Sequence, residues 1–145
     1  YTIWKRSVPH PTLATFDAPA RDVCTIRRQE TNTPLQALVL LNDPTYIEAS
    51  RVLGKHISDA ENLKLGVSKV FRQLTGRKIK DNELQLLVEL QEKEYKKFAT
   101  NLERTKGWLN TGEFKLGDGD DKAMVAANAV VANTIMNGDA CITKR

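Results

Sequence analysis

Between Asp17 and Asn42 the chain gathers side chains suited to holding an anion or a sugar: Asp17, Arg21, Arg27, Arg28, Thr31, Asn32 and Asn42. Guanidinium groups grip carboxylate and sulfate as flat two-pronged forks, and hydroxyls and carboxamides add directional bonds. The same arginines have an ordinary structural reading, as ion pairs to Asp17, Asp22 or Glu30 or as donors to helix-end carbonyls. Buried and paired arginines mean the second; arginines converging on an open cleft mean the first. No complete catalytic constellation surrounds the cluster, so no residue is assigned a catalytic role.

Other chemistry-bearing residues are sparse. Cys24 stands near Arg27 and Arg28, and cationic neighbours favour a thiolate, but a nucleophile also needs a base that local sequence does not place. Cys24 and Cys141 read foremost as two buried apolar residues; paired in an oxidising compartment, they would stabilise the fold by about 4–5 kcal/mol. His10 and His56 do not fall at finger spacing with the cysteines, so no zinc site is expected, and His56 reads as a boundary residue. The run from Asp118 to Asp121 suggests calcium, but the twelfth position is Ala129 where an EF-hand needs Glu. Asp120 or Asp121 is expected to cap the last helix instead. No C-x-x-C-H occurs, so no c-type haem attaches here and no cofactor is expected in this chain.

At 145 residues, 41% hydrophobic and 28% charged, the chain has the size and composition of one soluble globular domain with a real core. No apolar run reaches the roughly 18 residues of a membrane span. The 22 Lys and Arg against 18 Asp and Glu leave a net charge of +4, spread along the chain and not gathered in a stripe. Nucleic-acid binding is therefore not expected. The chain opens on Tyr1 in the middle of a pattern, as a fragment would.

The elements that must position these residues are helical. Residues 1–32 read as an irregular arm, because Pro9, Pro11 and Pro19 forbid a long helix while Tyr1, Trp4, Leu13 and Phe16 supply anchors. Residues 33–145 read as the helical core of the same single domain. Thr33, Pro34 and Gln36 form a capping box, and the apolar run after it predicts a short helix central to the core. Asp43 and Pro44 restart the chain into a helix whose buried face is Tyr46, Ala49, Leu53 and Ile57. Leu63, Val67, Val70, Phe71 and Leu74 make a third stripe, closed by Gly76. A long helix starts at Asp81, with Leu84, Leu87, Val88, Tyr95 and Phe98 inward and the pairs Glu89–Lys93 and Glu92–Lys96 outward. After a Gly-rich loop over 107–120, the last helix spans about 121–137. The fold class is all-α, a bundle of about five helices with a Pro/aromatic arm.

The string FDAPARDVCTIRRQETNTPLQALVLLNDPTYIEASR closely resembles the C-terminal domain of unknown function 1553, typical of large planctomycete proteins. The opening YTIWKR and the later LTGRKIKDNEL fit the same family. This chain departs from it at Ile79 and Lys80, where the family has Pro and Thr, which weakens the local cap. It also departs at the terminus, where Met136–Cys141 replaces a Leu-Asn-x-x-Glu-Phe ending. The resemblance implies a periplasmic or cell-surface protein whose domain follows a cytochrome-c-like module, with haem elsewhere in the parent. It carries over no catalytic residues. The expected role is a non-catalytic scaffold or interaction domain whose partners are the other domains of the same parent. The alternative is a polysaccharide- or anionic-ligand-binding domain, hydrolytic in its catalytic form, using the Asp/Arg cluster.

Overall fold

Caps and prolines set where the helices begin. A computed structural model describes residues 9–19, 23–27, 29, 31–117 and 119–142, and among these there are eight helices and no strand. They are α1 (Pro11–Thr15), α2 (Pro34–Asn42), α3 (Pro44–Ser58), α4 (Leu63–Thr75), α5 (Asp81–Thr100), α6 (Leu102–Leu109), α7 (Lys122–Met136) and α8 (Asp139–Ile142). The all-α expectation holds; the count of about five does not. The five long helices are the expected ones, and α1, α6 and α8 are short additions of 5, 8 and 4 residues.

The contacts divide the chain into two units, Tyr1–Val39 and Leu40–Arg145. In the first, α1 occupies part of the stretch expected to be irregular, with Pro11 in its opening turn, where a missing N–H costs nothing. The helix ends at Phe16, and Asp17 takes a left-handed conformation, φ 57°. The capping box of α2 is formed: Gln36 N–H donates to Thr33 Oγ1 (3.3 Å) and Thr33 N–H donates to Gln36 Oε1 (3.2 Å).

In the second unit, Asp43 caps α3 by accepting from Thr45 N–H, Asn62 caps α4 from Leu65 N–H, and Asn101 caps α6 from Arg104 N–H. Asp121 caps α7, accepting from the N–H groups of Ala123 and Met124, as the Gly/Asp loop predicts. Gly76 closes α4 in the left-handed conformation, φ 74°. Helix α7 sits centrally: Val125–Ala129, Val131–Asn133, Ile135 and Met136 are all buried. Around it one apolar cluster holds Leu53, Ile57, Val67, Val70, Phe71 and Val131, and another holds Phe98, Leu109, Val125 and Ala126.

Three expectations about faces are corrected. Ala49 is exposed, and the buried side of α3 carries Ser50, Arg51, Leu53, Gly54 and Ile57. That register brings Gly54 onto the backbone of Ala129, where a bulkier residue has no room. Helix α2 is not an all-round core helix, because Leu35, Leu38 and Leu41 are exposed while Leu40 is buried. Among the described residues the ion pairs made by α5 carboxylates are Arg77–Glu83 (2.6 Å), Lys97–Glu94 (2.6 Å) and Arg104–Glu94 (3.5 Å), in place of Glu89–Lys93 and Glu92–Lys96.

Candidate functional site

The polar cluster of the first unit is built from the turn after α1 and the first turn of α2. Thr31 donates twice to Asp17 Oδ2, from its backbone N–H (2.8 Å) and its hydroxyl (2.7 Å). Gln36, buried within α2, donates through Nε2 to the Thr15 carbonyl (2.9 Å) and to Thr31 Oγ1 (3.1 Å), with a longer contact to Asp17 Oδ2 (3.4 Å). A carboxylate accepting from a backbone amide, a hydroxyl and a carboxamide is a structural clasp, closing residues 15–17 onto residues 31–36.

Of the residues singled out from sequence, Asp17 and Thr31 are brought into direct contact. Arg27 and Asn32 are exposed, and Asn42 is the exposed last residue of α2. Arg21 and Arg28 lie outside the described residues. Gln36 is the member that sequence reading assigned only to helix capping. Its second role has no local signal, because the Thr15 carbonyl comes from 21 positions away.

Both cysteines are free thiols. Cys24 is exposed, against its reading as a buried apolar residue, while Cys141 is half-buried and donates weakly to the Leu74 carbonyl (3.8 Å). Burial pushes the Cys141 thiol above its ordinary value, away from nucleophilic thiolate. His56 is exposed. Among the described residues no three His, Cys, Asp or Glu side chains are grouped to hold a metal ion, and no helix is long and apolar enough to cross a membrane.

The most conspicuous surface feature is apolar. Leu35, Leu38 and Leu41 are 55%, 57% and 46% exposed, spaced three apart along α2, so they follow one side of that helix. Val23 and Ile26 are exposed as well. The class this defines is an all-α protein with a capped helix presenting leucines outward and a polar clasp locking that helix's start. The chain belongs to the family described as PSD1: Protein of unknown function (DUF1553), whose model matches residues 1–91. The match takes in the clasp, the leucines, α3 and α4, and it stops within α5. No curated protein and no solved structure matches the chain.

Proposed function

We propose that this chain is a non-catalytic helical interaction domain that docks on another domain of the same parent polypeptide through the exposed leucines of α2. One observation carries the reading: a helix with a complete capping box, anchored by buried Gln36, leaves Leu35, Leu38 and Leu41 about half exposed. Leaving such residues half exposed forgoes about half of the roughly 1.5–3 kcal/mol that full burial of each would give, and large apolar side chains exposed together mark interaction surfaces. The setting that goes with it is a periplasmic or cell-surface protein containing a cytochrome-c-like module. That part of the proposal rests on the sequence resemblance alone. The alternative, a sugar- or anion-binding cleft using Asp17 and the arginines, has less support, because Asp17 Oδ2 already accepts from Thr31.

The test is to titrate this chain against the remainder of its parent at low and high salt. Association through leucines is salt-tolerant and falls about a hundredfold in Leu35→Asp/Leu38→Asp/Leu41→Asp, with unchanged helical circular dichroism. Undiminished binding by that variant, or no association, overturns the proposal.

A further inference from the structure

In the second unit a groove of about 960 Å³ opens between α6, the chain that follows it and the first turn of α7. Arg51, Lys106, Lys115 and Lys122 line it, with Glu113 as the opposing charge. Its volume lies within the range of small-molecule sites.

The charge at its base is fixed. Arg51 is 1% exposed, and its Nε is buried without a hydrogen-bond partner. Its other nitrogens donate to neutral acceptors, the carbonyls of Thr111 and Phe114 (2.9 Å for the latter). The neighbouring carboxylate, Glu48, spends Oε1 on the amides of Glu113 (2.8 Å) and Phe114 (2.7 Å). Among the described residues Arg51 therefore has no carboxylate in ion-pair contact. The same holds for the exposed Lys106, Lys115 and Lys122, whereas Lys55 and Lys97 elsewhere are paired.

Beside the cations the wall is apolar. Leu102 is 68% exposed, and Phe114 and Leu116 are half-buried. A small hydrated anion gains nothing from such a wall, and a neutral hydrocarbon gains nothing from three unpaired ammonium groups.

From this pairing of charge and surface we infer that the groove binds a small organic anion with an apolar body, its carboxylate or sulfonate held by Lys106, Lys115 and Lys122. The hydrocarbon lies against Leu102, Phe114 and Leu116, and Arg51 beneath, its charge opposed by nearby Glu48, holds the wall in shape through the Thr111 and Phe114 carbonyls. This site is separate from the docking leucines and does not rest on them.

Octanoate and inorganic sulfate, titrated separately into the full chain and followed by amide chemical shifts, test it. Octanoate should saturate, moving the amides of Thr105, Lys106, Phe114 and Lys115. The affinity should fall about tenfold in Lys106→Gln/Lys115→Gln/Lys122→Gln, whose changes lie at exposed positions, and sulfate should bind more weakly than octanoate. Octanoate binding unchanged in the variant, shifts scattered over the protein without saturation, or sulfate binding as tightly as octanoate would overturn the inference.

Discussion

Gly54 and Gly107 are both helical glycines, and their surroundings give the same substitution opposite signs. A β-carbon on Gly54 would lie 2.6 Å from Ala129 N and 2.9 Å from Val125 O, which are backbone atoms of the central helix and cannot step aside. Gly54→Ala is expected to destabilise by about 1–3 kcal/mol through overpacking. On Gly107 of α6 a β-carbon meets nothing within 4 Å. Gly107→Ala is expected to stabilise by about 0.5–1 kcal/mol, the helix-propensity gain. Urea denaturation of the two variants checks both; a stabilised Gly54→Ala would mean that α3 and α7 stand further apart than described. Neither sign was legible in the sequence, which placed Gly107 in a loop over 107–120 where the structure continues α6 to Leu109, and which says nothing of the helix packed on Gly54. The clasp at Asp17 is similar: Thr31 and Gln36 were visible as polar residues, but their convergence on one carboxylate is a product of the turn after α1.

At the scale of elements, the start of α5 shows how a weak cap is made good. Lys80 offers no side-chain acceptor at the N-cap, as its departure from the family pattern suggested. Glu83 compensates by accepting from the Lys80 N–H (2.9 Å) and holding Arg77 with both oxygens (2.9 and 2.6 Å), while Arg77 lies over the Phe71 ring at 4.7 Å. The Arg77 guanidinium first, and the Lys80 amide second, hold the Glu83 carboxyl at about 2. A carboxyl lowered in the folded state stabilises above its unfolded value, near 4.3, and that stabilisation drains away as pH falls toward about 2. Glu83→Gln should therefore lower stability at pH 7 by about 1 kcal/mol and flatten the loss of melting temperature between pH 5 and 2. A parallel acid profile for wild type and variant would count against this linkage. The five long helices were legible because their caps and stripes repeat over several turns. Helices α1, α6 and α8 were not, since 5, 8 and 4 residues are too few for a period to declare itself.

At the scale of the second unit, everything is organised on α7. Its small residues let α3 approach closely, and its two buried asparagines reach outward: Asn128 donates to Ser58 Oγ (2.8 Å) and Asn133 to the Leu40 carbonyl (3.1 Å). The latter satisfies a carbonyl in the last turn of α2, which otherwise needs water. Native-state hydrogen exchange should find the amides of residues 126–132 slowest, opening only with global unfolding, while those of α6, whose outer face is solvated, exchange sooner. Equal protection of α6 and α7 would show that α7 is not the organising element.

The sequence by itself determined the five longer helices α2, α3, α4, α5 and α7, because capping, proline and apolar spacing act within a few residues. It determined the family for a similar reason, since a dense run of structural punctuation is readable without coordinates. Tertiary structure alone decided which faces stay wet. Helix α2 looks like a core helix by composition, yet leaves three leucines exposed. Arg51 looks like a surface arginine by type, yet is buried under the chain after α6. Burial depends on what lies opposite a residue, and Thr111 and Phe114 come from 60 and 63 positions away, a separation over which no local pattern carries information.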